Sequence, residues 1–205
     1  ISAVGSLKDE LSPGTFVIID DFVDRTYARE KSFFGKGCVA HVSMAQPVCS
    51  RLGDQIEAAA TALSIEVARG GTYLAMEGPQ FSSLAESNLY RSWGLSVIGM
   101  TNMPEAKLAR EAEICYATVA MVTDYDCWHS DHSNVEVTDI VRLLTQNADA
   151  ARNMLKLAAP AIASNRPPIC PSGCDRALEF AIMTKPEARD SEMVAKLNNI
   201  AGRVL

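Results

Sequence analysis

Two acidic residues follow the most apolar stretch of the sequence. The run Ile114 to Val122 is almost entirely apolar, and Asp124 and Asp126 come directly after it. Carboxylates at positions i and i+2 of an extended chain point to the same side, so one in an apolar setting could hold a proton while the other orients it. Aspartate is also common at helix N-caps and in solvated turns. The spacing alone therefore favours a helix cap or turn, with a general acid as the alternative.

Groups suited to ligand binding follow two other apolar runs. Thr101 could bind an anion through its hydroxyl, and Met100 could cover an apolar ligand or pack in the core. The turn Gly78–Ser82 precedes a predicted helix, and helix N-termini favour anions. Phe81 in this turn could stack on a flat ring or pack in the core. His41 stands alone after a loop, where a surface or structural role is the default.

The six cysteines are spread along the chain, at positions 38, 49, 115, 127, 170 and 174. Cys170 and Cys174 have a C-x3-C spacing, but the second cysteine pair typical of zinc sites is missing from their neighbourhood. The three histidines, at positions 41, 129 and 132, do not replace it. We therefore expect no metal and inert thiols in a reducing cytosol, with a disulfide between Cys170 and Cys174 as the alternative.

Strands and helices alternate in the sequence that must position these groups. Apolar runs predict strands at 1–7, 16–19, 72–76, 95–100, 114–122 and, at a sheet edge, 180–183. Apolar residues at helical spacing and helix-start signals predict helices at 50–63, 81–93, 104–113 and 191–200. Ser133 and Glu136 form a capping box for a further long helix. Its apolar face is formed by Val137, Ile140, Val141, Leu144, Ala148, Ala151 and Leu155. The alternation indicates an α/β fold with a mainly parallel sheet, in which ligands bind at the carboxyl ends of strands.

The composition favours one globular enzyme domain. The 205 residues are 48% hydrophobic and 21% charged, which allows a sizeable core. The formal net charge of −6, without a cluster of Lys and Arg, argues against a nucleic-acid partner. No apolar run is long enough to span a bilayer, and residues 1–10 lack the regions of a signal peptide. We therefore expect a cytoplasmic protein.

Three long motifs resemble those of the nucleoside phosphorylase family that forms trimers. They are Glu77–Ser83, Val97–Thr101 with Met103-Pro104-Glu105, and Thr123–Trp128. The last is similar to the methylthioadenosine phosphorylase branch. The resemblance implies a three-layer α/β/α fold of the phosphorylase/hydrolase type with a mixed, mainly parallel sheet. It also implies phosphate-dependent cleavage of methylthioadenosine to adenine and 5-methylthioribose 1-phosphate.

The resemblance also implies roles for individual residues at the purine. Asp124 would donate the proton to the purine N7, and Asp126 would contact the 6-amino side or hold Asp124 in place. Phe81 would pack on the purine or ribose. Ser82 and Asp124 are the pair expected for adenine, because relatives that act on 6-oxopurines carry Glu and Asn at these positions.

The remaining implied roles concern the ribose, the phosphate and the 5′ substituent. Met100 would lie against the ribose. Phosphate would be bound by Thr101, Ser2 and Ala3. The 5′-methylthio pocket would be lined by Val137, Ile140 and Val141. His41 and Met183 match positions that reach across a subunit interface, so the resemblance implies a homotrimer or a dimer of trimers.

The implied chemistry needs phosphate as a co-substrate and no cofactor. The glycosidic bond breaks with oxocarbenium character at C1′, and a carboxylic acid with a raised pKa can protonate the departing base. Family members begin with a strand and a Gly-rich phosphate turn, and later carry an Arg-His pair; these are missing here. We therefore expect residues 1–205 to form a single domain that lacks its N-terminal strands and phosphate loop, within a longer or cleaved protein.

Two alternatives remain at this stage. One is a purine nucleoside phosphorylase that acts on adenosine or inosine. The other is an inactive remnant or assembly subunit, which only the missing phosphate residues support.

Overall fold

A mixed sheet of seven strands forms the centre of the part of the chain that the structure describes. This computed structural model describes residues 1–129 and 137–205, except for the side chains of residues 137–140. In chain order the strands are β1 (Ser2–Ser6), β2 (Phe16–Ile18), β3 (Asp21–Asp24), β4 (Val67–Arg69), β5 (Thr72–Ala75), β6 (Val97–Gly99) and β7 (Val119–Asp124). Their order across the sheet is β3-β5-β6-β1-β7-β2-β4.

Most neighbouring strands run parallel. The pairs β3–β5, β5–β6, β1–β7 and β2–β4 are parallel, and only β1–β6 and β2–β7 are antiparallel. The predicted α/β fold with a mixed, mainly parallel sheet is therefore confirmed. The sequence did not predict β3 or β4, because each is short and β3 begins and ends with a charged residue.

The described residues form five α-helices. They are α1 (Ser50–Ala62), α2 (Leu84–Ser92), α3 (Glu105–Glu111), α4 (Val137–Ser164) and α5 (Ser191–Ala201). The predicted start of α2 at Phe81 was three residues too early, because Ser83 caps the helix in a capping box with Glu86. Strand β7 begins at Val119 rather than at Ile114.

The alternation of side chains along each strand builds two faces. Val17 of β2 packs in the cluster that includes Met103 and Ala106 around α3, whereas Phe16 and Ile18 pack in the cluster with residues of α1 and α4. The other face also carries a cluster in which Tyr90 of α2 packs on the strands. Period-two alternation therefore places helices on both sides, in the three-layer arrangement that the sequence predicts.

Helix α4 buries a different face from the predicted one. Its buried positions are Asn147, Ala151, Met154 and Ala158, and of the predicted apolar face only Ala151 is buried among the residues with described side chains. This face fits the sheet because Ala151, Met154 and Ala158 pack in the cluster with α1, and Asn147 can join them because its Nδ2 donates to the carbonyl oxygen of Val122 (3.2 Å). The capping residues Ser133 and Glu136 lie outside the described residues.

The C-terminal segment packs on a separate hydrophobic cluster that includes Phe34, Leu178 and Leu197. The predicted edge strand 180–183 was wrong. Leu178 and Ala181 turn into this cluster, and only Ile182 forms an isolated antiparallel bridge, with Ala40. No helix of the described ranges 1–129 and 137–205 has the length and apolar character needed to cross a membrane.

Candidate active site

Strand β1 lies between the two strands that end in predicted site residues. It is antiparallel to β6 and parallel to β7. The side chain of Thr101, just after β6, therefore meets Ser2, whereas Asp124 at the end of β7 pairs with Gly5. Three residues along a strand correspond to about 10 Å. Strand β1 therefore connects two half-sites, one at each of its ends.

Three hydroxyl groups form a cluster at the Ser2 end of β1. Ser2 Oγ lies 2.7 Å from Thr101 Oγ1 and 3.0 Å from the hydroxyl of Tyr73. The Tyr73 hydroxyl lies 3.2 Å from Thr101 Oγ1. Ser2 and Tyr73 are buried, while Thr101 is exposed and neighbouring Ala3 on β1 is also exposed. This arrangement offers hydroxyl groups to an anion, which would approach from the Thr101 side.

At the Gly5 end of β1, both carboxylate oxygens of Asp124 are engaged. Oδ1 accepts a hydrogen bond from the backbone N–H of Asp126 (2.8 Å), and Oδ2 lies 2.7 Å from Thr123 Oγ1. The Thr123 hydroxyl also lies 3.1 Å from the carbonyl oxygen of Val4. Because this hydroxyl has a single proton, it can donate to Val4 while it accepts a hydrogen bond from a protonated Asp124. The geometry therefore accommodates the acid form of Asp124 as well as the carboxylate.

Asp126 is buried and directed toward α2. Its Oδ2 accepts a hydrogen bond of 2.5 Å from Ser87 Oγ. Its backbone has φ of 51°, in the left-handed region that Asp tolerates better than most residues, and this turn presents its N–H to Asp124. Asp126 was expected either to contact the 6-amino side of the purine or to hold Asp124 in place. The described contacts agree with the second role, which the backbone N–H of Asp126 performs.

The loop 76–83 connects the two ends of the site. At one end, a side chain at Gly78 would place Cβ 2.6 Å from the sulfur of Met100, and Gly78 has φ of 71°. At the other end, the carbonyl oxygen of Ser82 accepts a hydrogen bond from Cys127 Sγ (3.4 Å). Burial raises the pKa of Cys127, and the negative charge of Asp126 raises it further, so this thiol remains a donor. Phe81 in the same loop is 84% exposed.

Glu77, at the start of the loop 76–83, holds a neighbouring loop in place through its carboxylate. Its Oε2 accepts a hydrogen bond from the backbone N–H of Tyr27 (2.7 Å), and Arg29 pairs with the same carboxylate. The Tyr27 hydrogen bond is the main reason why the pKa of Glu77 lies below its usual range. Glu77 therefore fixes the loop around residues 27–29 against the end of β5.

The two residues expected at a subunit interface lie beside each other. The backbone N–H of His41 donates to the carbonyl oxygen of Ala181 (2.8 Å), and that of Met183 donates to Val39 (2.8 Å). His41 is exposed, and Met183 is 53% exposed. Val141 is 56% exposed. The side chains of Val137 and Ile140 lie outside the described residues.

Residues 1–159 match the family model of the phosphorylase superfamily. The chain belongs to this superfamily. It is 64% identical to the S-methyl-5'-thioadenosine phosphorylase of Rhodospirillum rubrum, over 100% of this chain and 69% of that protein.

Two solved structures extend the comparison within the phosphorylase superfamily. A methylthioadenosine phosphorylase from an Antarctic soil metagenomic library is 44% identical, with a TM-score of 0.91 over 97% of this chain and 69% of that chain. An S12T variant of the adenosine/methylthioadenosine phosphorylase of Schistosoma mansoni was solved in complex with methylthioadenosine. It is 32% identical, with a TM-score of 0.75 over 80% of this chain and 63% of that chain.

Two residues that contact the candidate site residues were not among the predicted site residues. Tyr73 was assigned only to an apolar strand, and its hydroxyl partners come from β1 and from the end of β6. Ser87 was assigned only to an amphipathic helix. A polar residue on the side of α2 that also buries Tyr90 was the available signal for Ser87.

Proposed function

We propose that the protein catalyses the reversible, phosphate-dependent cleavage of S-methyl-5'-thioadenosine to adenine and 5-methylthioribose 1-phosphate, in methionine and purine salvage. One observation carries the proposal: a hydroxyl cluster and an aspartate with a built hydrogen-bond frame lie at opposite ends of β1. Their separation of about 10 Å along the strand suits a phosphate at Thr101 and a purine at Asp124, with the ribose between them.

The proposed reaction assigns one proton transfer to Asp124. The C1′–N9 bond breaks with its electron pair moving into the purine, and protonated Asp124 gives its proton to N7. A phosphate oxygen then forms the new bond to C1′ from the opposite face. The backbone N–H of Asp126 holds Asp124 Oδ1 in place. After the proton has left, the Thr123 hydroxyl can donate a hydrogen bond to Asp124 Oδ2.

Phosphate is held in this proposal by hydroxyl groups. Thr101, Ser2 and Ala3 surround its position, and donors fixed before the reaction stabilise the charge that develops on it. The buried hydroxyl of Tyr73 lies within hydrogen-bond distance of Ser2 Oγ and Thr101 Oγ1 and holds both in place. This chemistry uses phosphate as a co-substrate and requires no organic cofactor.

The rest of the nucleoside would lie against apolar side chains. We assign Met100 to the ribose and Phe81, with Ser82, to the purine. The exposed Phe81 ring gains a partner when a purine covers it. For the 5′-methylthio group we assign Val137, Ile140 and Val141.

A homotrimer, or a dimer of trimers, would complete the 5′ pocket. The antiparallel contact between residues 39–41 and 181–183 presents His41 and Met183 together, and Phe180 beside them is 89% exposed. Such exposed apolar side chains favour a subunit contact. Light scattering should report three or six chains per particle, and a fully active monomer would contradict the shared site.

We also place the protein in the cytoplasm. All six cysteines are free thiols, which fits a reducing compartment. Fractionation of cells that express the tagged full-length protein checks this assignment, and recovery in an oxidising compartment would contradict it.

The activity is tested by following adenine release from methylthioadenosine with and without phosphate. Release should require phosphate, and Asp124→Ala should lower kcat by about two to four powers of ten, the usual contribution of a general acid. Asp149→Ala is the matched control, because Asp149 is exposed on α4 and pairs with Arg152. Phosphate-independent release would indicate a hydrolase. A folded protein without turnover would indicate an assembly subunit.

The purine preference is tested at the two residues that distinguish adenine from 6-oxopurines. Asp124→Asn combined with Ser82→Glu should shift preference from adenosine toward inosine. If the unaltered protein already favours inosine, the assignment to adenine nucleosides is wrong.

A further inference from the structure

Four cysteines from distant parts of the chain meet in one cluster. Cys49 precedes α1, Cys115 lies between α3 and β7, and Cys170 and Cys174 follow α4. Their Sγ atoms all lie within 4.8 Å of one another, and three of the four residues are buried. All four are free thiols. None of them belongs to the phosphorylase site described above.

The spacing of the sulfur atoms fits a tetrahedral zinc ion. A Zn–S bond of about 2.3 Å places sulfur atoms about 3.8 Å apart in a regular tetrahedron. Cys170 Sγ lies 3.7 Å from Cys49 Sγ and 3.5 Å from Cys115 Sγ. A disulfide would join two sulfurs at about 2.05 Å and leave the other two apart. Four sulfurs that each neighbour the other three are the arrangement that a single ion requires.

A half-buried arginine beside the cluster gives independent support. The Arg51 guanidinium interacts with the sulfurs of Cys115 and Cys170. Among the residues described, its Nε and Nη1 atoms are buried without a hydrogen-bond acceptor. A buried charge is costly unless it is paired. Four neutral thiols would leave this cation without a counter-charge, whereas Zn²⁺ with four thiolates carries a net charge of −2 and provides one.

The turn between Cys170 and Cys174 is also shaped for a metal ligand. The backbone N–H of Gly173 donates to the carbonyl oxygen of Cys170 (2.9 Å), which closes a tight turn between the two cysteines. Gly173 makes this possible with φ of 66°, a conformation that glycine adopts without strain. The turn brings the sulfur atoms of both cysteines into the same cluster.

We propose that Cys49, Cys115, Cys170 and Cys174 bind one Zn²⁺ as a structural site. Binding converts the four thiols to thiolates, and their protons pass to solvent, so no oxidant is involved. The ion joins the start of α1 and the segment before β7 to the C-terminal segment. The sequence prediction of no metal considered only Cys170 and Cys174; Cys115 and Cys49 supply the second pair from 55 and 121 positions away from Cys170.

The metal content of the full-length protein, purified under reducing conditions in the presence of zinc, tests the proposal. Inductively coupled plasma mass spectrometry should find one zinc ion per chain. Replacement by Co²⁺ should give the intense visible absorption of a tetrahedral thiolate site. Chelation should release the zinc and increase proteolysis between α4 and α5, because the C-terminal segment loses its anchor.

Matched variants locate the ion. Cys127→Ser, at an exposed cysteine outside the cluster, should keep the zinc and the Co²⁺ spectrum. Cys174→Ser should lose both. Arg51→Met should keep the stoichiometry but weaken zinc affinity about ten- to a hundredfold, the range for an outer-shell partner.

Two results would overturn the zinc site, and both are read on the unaltered protein. One is a reduced protein that takes up no zinc or cobalt while the four thiols of the cluster remain titratable. The other is a protein whose four cysteines form two disulfides that zinc does not prevent.

Discussion

The replacement of Gly5 by alanine is expected to impair catalysis without harming the fold. A Cβ at this position would lie 3.0 Å from Asp124 Oδ1 and 3.3 Å from the backbone nitrogen of Asp126. Ordinary contacts begin at 3.4 Å, so Asp124 would have to move outward by about 0.4 Å. The movement would disturb its 2.8 Å hydrogen bond to the backbone N–H of Asp126. The acid would therefore lose its orientation toward the purine.

The size of the effect follows from the displacement. A misplacement of about 1 Å can cost about a hundredfold in rate, so a shift of about 0.4 Å should lower kcat about tenfold, or about 1.4 kcal/mol in activation free energy. The thermal midpoint should stay constant or rise, since alanine suits a strand better than glycine. The assay is adenine release under saturating methylthioadenosine and phosphate, combined with thermal unfolding.

Gly35→Ala is the control, because a Cβ there would meet only Met193 Cε at an ordinary 3.9 Å. This variant should keep both activity and stability. A Gly5→Ala enzyme with unchanged kcat would refute the reasoning, because the position of Asp124 would then not limit the reaction. An unfolded Gly5→Ala variant would refute the claim that the contact is confined to the site.

Three further perturbations separate binding from stability. Thr101→Val removes the exposed hydroxyl of the cluster, so KM for phosphate should rise about tenfold, as expected for one lost hydrogen bond, while KM for the nucleoside stays constant in steady-state kinetics. Ser87→Ala removes a donor from buried Asp126 and should lower the free energy of unfolding by about 1.5–3 kcal/mol in urea titrations. Burial opposes ionisation of Asp24, but hydrogen bonds, chiefly from Lys107, outweigh it and hold its pKa far below its usual range. Asp24→Asn should therefore lower the unfolding free energy at neutral pH, and its difference from the parent should shrink as the pH falls below about 4, where unfolded Asp takes up protons.

Helices and strands with a clear spacing of apolar residues were predictable from the sequence. Elements that depend on contacts with distant residues were not. The strands β2 and β5 and the helix α1 lie close to their predicted positions, because apolar spacing determines them locally. Strand β4 has three residues and exists because it pairs with β2. No local pattern carries that information.

The site divides in the same way. The resemblance proposed Asp124 and Thr101 from motifs, but not the strand direction that separates them. Strand direction depends on which neighbours β1 pairs with, and one antiparallel pairing placed the ends of β6 and β7 at opposite ends of β1. The cysteine cluster escaped prediction for a related reason, since its four members come from three separate regions of the chain.

The antiparallel contact between Ala40 and Ile182 lies outside the central sheet, so the residues beside it can change independently of the residues on the sheet. The proposed acid and phosphate residues are tied to the central sheet, where a change disturbs many neighbours at once. His41 and Met183 are carried outside the sheet by a pair of loop segments, and Met183 lies beyond the residues that the superfamily model matches. Substitutions there can accumulate at little cost to the sheet. We therefore expect that, as related enzymes diverge, recognition of the 5′ substituent changes readily while the bond-breaking machinery stays fixed.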